Sequence, residues 1–239
     1  MLCKDLLSTT EKLPRGDNGG ALAIVLKRLV EWQELLRRRR EQLLTREQTI
    51  GLVGELLFLK DEVFPLIGAD AVKTWRGPFG DEQDFVHGLW IIEIKSQLST
   101  SDKVIRISSE SQLDTVSGNI ALCHQTLGLS SKDYAASLTL NKLVEKIRDE
   151  VFRKDPPAAL DFEHALIEVG YARRPEYDEP GWMLATRHTY TVSPGFPRIT
   201  PTMLPVGVDK VTYSIHPEAC KSFETDTETL MERIFVHGS

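Results

Sequence analysis

Residues Leu89 to Leu98 read L-W-I-I-E-I-K-S-Q-L, a run in which β-branched and aromatic side chains crowd around one acid and one base. Such a run extends as a strand. Side chains alternate along it, so Trp90, Ile92 and Ile94 point one way while Ile91, Glu93, Lys95 and Gln97 point the other. Large apolar groups on both faces suit a strand covered on both sides, where Glu93 and Lys95 are costly unless they find each other or a cation. A chain organised around this segment needs layers above and below a sheet, which is an α/β architecture.

The flanking sequence supplies those layers. Thr45-Arg46-Glu47-Gln48 is a capping box, and the helix it opens should run through G-L-V-G-E-L-L-F-L to about Glu62. Gly51 and Gly54 are unfavourable inside a helix and imply a closely packed neighbour. Glu55 shares a side with Gly51, Leu52, Phe58 and Leu59, and a carboxylate on such a face needs a partner. Before it, Leu22, Val25, Leu29, Trp32 and Leu36 form one apolar stripe on a helix reaching about Leu43, with Arg37 to Arg40 distributed around it. Extended segments are expected at Val72 to Trp75, Gln83 to Val86, Val104 to Ile107, Ile120 to Leu127, Met183 to Val192 and Lys210 to Ile215. Helices are expected at Leu140 to Arg153 and Ala158 to Val169. Ser109-Glu110-Ser111-Gln112 reads as a capping box opening a short helix, although Gln112 also suits a place near a reactive site or a phosphate. A Pro-rich loop covers Pro194 to Pro205.

Over 239 residues the net charge is −6, with +3 on residues 1–60 and −9 on the rest, so a polyanion would have to meet a local basic surface. Cys3, Cys123 and Cys220 are too dispersed for a thiolate zinc site or a disulfide framework, which fits a reducing cytoplasm. No apolar run reaches the ~20 residues that span a bilayer, and no leader pattern opens the chain, so neither secretion nor membrane insertion is expected. HExxH, G-x-S-x-G and phosphate-loop patterns are missing, which leaves no case for a zinc hydrolase, an α/β-hydrolase or a nucleotide cofactor.

The chemistry is expected on the central strand. A His87-Gly88 turn would pair Val86 with Leu89, Phe85 with Trp90 and Asp84 with Ile91, which places Asp84 on the face of Glu93 and Lys95 and diagonal to Glu93. Two carboxylates so placed reach one Mg²⁺, with the Ile94 carbonyl as a further ligand and Lys95 beside the metal. That set suits phosphodiester hydrolysis. The D-x₈-E-x-K spacing also occurs on solvated strands; the apolar neighbours argue against that here. Trp75 and Trp90 read as packing residues.

Helix with G-L-V-G-E-L-L-F-L, then W-R-G-P at Trp75 to Pro78, Asp84-Phe85 and Glu93-Ile94-Lys95-Ser96-Gln97 together resemble the PD-(D/E)XK nuclease superfamily. More narrowly they resemble an uncharacterised PD-(D/E)XK family often met near bacterial restriction and phage-defence genes, with R-I-S-S-E-S-Q-L at Arg106 to Leu113, Gly170-Tyr171 and F-P-R-I at Phe196 to Ile199 extending the likeness. The resemblance implies a restriction-endonuclease-like core, α-β-β-β-α-β, with a mixed central sheet flanked by helices over residues 45–130. A helical extension at 1–44 and an α/β elaboration at 131–239, packed on the same domain, complete the expectation. It also implies that Asp84 and Glu93 are metal carboxylates, Lys95 the catalytic lysine, Glu55 an acid directed at the metal from the first core helix, and Gln97 a site-lining residue. The chain departs from the superfamily name at Gln83, where proline is usual. The implied activity is a Mg²⁺-dependent endonuclease, with Mn²⁺ as a substitute, acting on DNA in restriction or phage defence, alone, as a homodimer or with a defence-complex partner. The other reading is a non-cleaving structural or DNA-binding subunit that keeps the fold.

Overall fold

A computed structural model describes residues 43–80, 83–116 and 118–237, together with Leu22, Val25 and Leu26. The chain divides into two units, residues 1–43 and 44–239. In the first, Leu22, Val25 and Leu26 are helical and Leu43 is not, whereas Leu29 to Leu36 of the apolar stripe and Arg37 to Arg40 lie outside the described residues. All that follows concerns the second.

The capping box at Thr45 forms as expected. Thr45 Oγ1 accepts from Gln48 N–H, Gln48 Oε1 accepts from Thr45 N–H, and α1 (Arg46–Phe58) follows. Its C-terminal end widens into a π-turn at Leu59–Val63 and resumes as α2 (Phe64–Ile67). Val72 to Trp75 is not extended. Ala71–Thr74 is a helical turn, α3, because Ala71, Val72 and Trp75 bury together at helical spacing, and only Trp75 makes an isolated bridge, to Phe85.

The central sheet has five strands in the order β1 (Phe85–His87), β2 (Trp90–Leu98), β4 (Asn119–Ser130), β5 (Gly181–Val192) and β7 (Glu224–Thr225). It is mixed: β2 and β4 are parallel and the other pairs antiparallel. The hairpin turn is Gly88-Leu89, not His87-Gly88. Gly88 takes the positive φ, 56°, that the turn demands, and Phe85 pairs with Ile92, Val86 with Ile91 and His87 with Trp90. The register therefore differs by two residues from the expectation. Two is the strand period, so the face assigned to Asp84 survives.

Between the parallel strands β2 and β4 no helix forms among the described residues. Residues 109–116 are turns, and β3 (Ile105–Ile107) leaves the central sheet to pair with β6 (Tyr213–Ile215) in a two-stranded ribbon. The observed order thus lacks the crossover helix of the expected α-β-β-β-α-β pattern, while the broader expectation of an α/β fold with a mixed central sheet and packed helices holds, the sheet having five strands. Beyond β4 come α4 (Leu140–Lys154), capped by Thr139, and α5 (Pro156–Glu168). After β6 follow α6 (Pro217–Cys220) and α7 (Thr227–Phe235), the latter capped by Asp226 and not anticipated from the sequence. No helix among the described residues is long and apolar enough to cross a membrane.

Two cores result. On one face of the sheet α1, α4, α5 and α7 enclose Trp90, Ile92, Ile94 and Leu98. On the other, the β3–β6 ribbon covers Ile91, Ile120, Leu122, Tyr190 and Val192. Helix α1 is drawn close to β2 at Gly54, where a Cβ would come within 1.8 Å of Ser96 Oγ and 2.7 Å of Ser96 Cβ; Gly51 faces open space. Close by, Gln125 Nε2 donates to the Gly54 carbonyl, and Gln125 Oε1 accepts from Arg187 Nε and Nη2. Arg187 also pairs with Glu62 on the π-turn and lies over Phe58. This buried network fastens α1 to β4 and β5.

Gly54→Ala should therefore destabilise the protein by about 1–3 kcal/mol through overpacking against Ser96. Adding Ser96→Gly should recover most of that loss. Urea denaturation of the two variants and the wild type checks both outcomes.

Candidate active site

Strand β1 is three residues long and pairs only with the start of β2, so among the described residues no strand lies beside Glu93 to Leu98 on the β1 side. Asp84 occupies the first step of that open edge. By continuation of the hairpin it stands across from Glu93, and its Oδ2 accepts from Ile94 N–H at 2.6 Å. The N–H and C=O of one strand residue point to the same edge, so the Ile94 carbonyl also faces this opening.

The W-R-G-P segment wraps round the same acid. Arg76 N–H and Gly77 N–H both donate to the Asp84 carbonyl, at 2.8 and 3.1 Å. A Cβ at Gly77 would come 3.2 Å from both Asp84 Oδ1 and Glu55 Oε2, so glycine leaves these two carboxylates room to approach each other. Glu55 reaches the spot from α1, and Trp75 Nε1 donates to Glu55 Oε2 at 2.7 Å. Trp75 is fully buried, as its reading as a packing residue implied, but its indole N–H also orients Glu55.

Lys95 Nζ lies 2.7 Å from Glu93 Oε1 and donates to Gln112 Oε1 at 2.9 Å. Gln112 Oε1 also accepts from Ser108 N–H. Gln112 is therefore a lysine-positioning side chain in a turn, not a helix cap. Glu93 is 1% exposed, and its Oε2 has no hydrogen-bond partner among the described residues. Gln97 shares the face of Lys95 but turns elsewhere: its amide donates to the Asp102 carbonyl, and it lines a neighbouring cleft. The structure thus gathers Glu55, Asp84, Glu93 and Lys95, with Trp75, Gly77 and Gln112 around them, and leaves Gln97 outside. The only sequence signs of the surrounding three were the W-R-G-P motif and the ambiguity of Gln112.

The electrostatics are those of crowded acids in a poorly solvated place. Burial, with Asp84 repulsion second, pushes Glu55 up to about 8 against the opposing Trp75 hydrogen bond and Lys95 charge. Asp84 rises to about 6, chiefly by burial, although the Ile94 N–H and Lys95 pull it down. Glu93 is held well above the usual carboxylate range by burial and by Asp84, with Lys95 opposing. One ammonium does not balance three acids. The orphaned Glu93 oxygen and the mutual repulsion fit a divalent cation, the charge that would reverse all three shifts. Among the described residues no three acidic, histidine or cysteine side chains cage a cation by themselves. Mg²⁺ needs no such cage, since it completes its shell with water, carbonyl and phosphate oxygens.

These shifts carry a sign for stability. The native acids bind protons more tightly than the unfolded ones, so their contribution is fully present below pH 3.8, the lower of the two unfolded values, and is lost as pH rises through about 6 and about 8. Without divalent cation the protein should therefore be less stable at pH 8 than at pH 5, and Glu55→Gln should flatten that dependence. Thermal melts across the range in chelator measure it; a rise in stability towards pH 8 would contradict the assignment.

No curated protein and no solved structure matches the chain significantly. A family model does match, over residues 1–217, and its family is described as "Putative PD-(D/E)XK family member, (DUF4420)". That span takes in the capped helix, the W-R-G-P loop, the hairpin with Asp84, Glu93 and Lys95, the Gln112 turn and the Phe196 to Ile199 segment. The chain belongs to this PD-(D/E)XK family.

Proposed function

We propose that the protein is a metal-dependent endonuclease that hydrolyses DNA phosphodiester bonds. The observation that carries the reading is Lys95 held between Glu93 and Gln112 at the open edge of β2, with the charges of Asp84 and Glu55 acting on a Glu93 that keeps one oxygen unsatisfied. A site in restriction or phage defence is supported by the resemblance of the sequence motifs alone.

Asp84 Oδ1, the free Glu93 oxygen and the Ile94 carbonyl would hold Mg²⁺ or Mn²⁺, with Glu55 contributing directly or through water. When bound, the cation would polarise a phosphoryl oxygen and lower the pKa of an attacking water. The chain's own groups do the rest. Asp84 is fixed by the Ile94 N–H and by the peptide groups that grip its carbonyl, so it presents one oxygen with little freedom. Trp75 holds Glu55. Gln112 keeps the Lys95 ammonium near the edge, where it orients a water or offsets the charge that develops on the phosphate.

Two outcomes test this. Mg²⁺ or Mn²⁺ should raise the thermal midpoint, by about 2.7 kcal/mol of stability at a hundredfold excess over the dissociation constant. Because the ligands must be ionised, the shift should be larger at pH 8 than at pH 5, and Asp84→Asn should lose it.

Lys95→Ala should retain folding and DNA affinity and lose cleavage of plasmid or phage DNA, since the contribution of Lys95 is realised in the transition state. Cleavage that survives in both Lys95→Ala and Asp84→Asn would place the reaction elsewhere. Metal binding with no cleavage by the wild type would favour a non-cleaving subunit.

A further inference from the structure

The polar half of the sheet face that carries Lys95 continues past the carboxylates. Lys95 pairs with His124 on β4, and His124 with His188 on β5; one step on, Gln97 pairs with Thr126 and Thr126 with Thr186. Paired residues share a face, so Gln97, His124, Thr126, Thr186 and His188, beside Lys95, form the floor of one cleft of about 570 Å³. Its walls are the loop after β2, with Lys103 on the rim, and the segment around α6.

His124 is the unusual member of that floor. It is 4% exposed, and neither ring nitrogen has a hydrogen-bond partner among the described residues. Burial, with His188 nearby, lowers its pKa to about 4, so the ring is neutral and offers one unused donor and one unused acceptor. Leaving both unmet in a buried place is unfavourable, and a ligand that meets them gains by it. The rest of the floor is made of neutral hydrogen-bonding groups as well: the Gln97 amide and the Thr126 and Thr186 hydroxyls, which bond each other at 2.7 Å. On the walls Glu218 is paired with Lys221 and Glu224 with His188 Nδ1, so their charges are largely offset by these partners. A planar heterocycle with donors and acceptors along its edge matches this neutral floor. The volume lies in the range of small-molecule sites. Its floor begins one same-face strand step, about 6.7 Å, beyond Lys95.

We propose that this cleft receives one unpaired nucleobase of the nucleic-acid strand whose phosphate lies at the Glu93–Lys95 edge. The proposal rests on the phosphodiester reading above. Enzymes that take a base out of the stack favour sites where pairing is already lost, because unstacking then costs less. The substrate class implied is a strand with an unpaired, bulged or single-stranded residue next to the bond that is cut.

The test is binding in chelator, where no strand is cut. Three duplexes are compared: one with a single bulged 2-aminopurine, one with an abasic residue at the bulge, and one fully paired, each as DNA and as RNA. The bulged base should bind at least about tenfold more tightly than the abasic and paired forms, with a change in 2-aminopurine fluorescence. Thr186→Trp, at an exposed position on the floor, and His188→Ala should each abolish that preference without lowering the melting temperature. A base preference on either sugar backbone supports the proposal. Equal binding of bulged, abasic and paired duplexes overturns it, as does a preference that persists in both variants. Cleavage is judged separately with Mg²⁺ and Lys95→Ala, so a base preference without cleavage would overturn the nuclease reading and leave the cleft assignment standing.

Discussion

The site is organised by the desolvation of Glu93. A carboxylate placed mid-strand between Ile92 and Ile94, with helices over one face and a ribbon over the other, has lost nearly all its water. Lys95 compensates one of its oxygens and nothing among the described residues compensates the second. Asp84 and Glu55 add to the repulsion. An arrangement of this kind makes the metal-free fold less stable than well-packed apolar residues would, and it becomes favourable only when positive charge is supplied. The local cost is a property of the site and not of the fold, which has two separate apolar cores on which to rest.

Access to that charge depends on a short strand. Had β1 extended two residues further back as a paired strand, its backbone would have closed the edge of β2 at Glu93 and Ile94. Instead the chain leaves the sheet at Asp84, whose side chain takes the Ile94 N–H that a neighbouring strand would have claimed. The W-R-G-P loop then satisfies the Asp84 carbonyl. The same backbone groups that would have been lost to pairing are thus kept aligned at an opening, which is how a sheet edge stays open without leaving unmet hydrogen bonds.

Much of this was legible in the sequence because it follows from period and burial. Alternation along β2 placed Glu93 and Lys95 together, and the capping box located α1. The hairpin register did not follow, since Gly88 supplies a positive φ either as the second residue of one turn or the first of the next. The slip was harmless to the face of Asp84 only because it was even. Two other expectations failed for a common reason. Val72 to Trp75 has strand-forming residues and Ser109 to Gln112 has a helix-start pattern, but in each the side chains are claimed from outside the segment: Trp75 by Glu55, Gln112 by Lys95. Local propensity is weak where a tertiary partner of opposite demand is within reach. The convergence of Glu55 and Trp75 across 20 residues of chain has no periodic signature at all.

The lost crossover helix explains motifs that carry no reactive group. Without it, the turns of residues 109–116 must be held by distant parts of the chain if Gln112 is to stay beside Lys95. Arg198, from the F-P-R-I segment, donates to the Leu113 carbonyl and to Thr115 Oγ1, and the Glu110 carboxylate receives the N–H groups of Lys210 and Val211. The segment is pinned on both sides of Gln112. An interaction path therefore runs from Arg198 through Leu113 and Gln112 to Lys95 and Glu93, with each link a hydrogen bond, an ion pair or an adjacent peptide unit. On this account the R-I-S-S-E-S-Q-L and F-P-R-I motifs belong together, one delivering the glutamine and the other fastening the turn that delivers it. A helix would have fixed the same backbone through its own hydrogen bonds; here side chains from outside the segment do so.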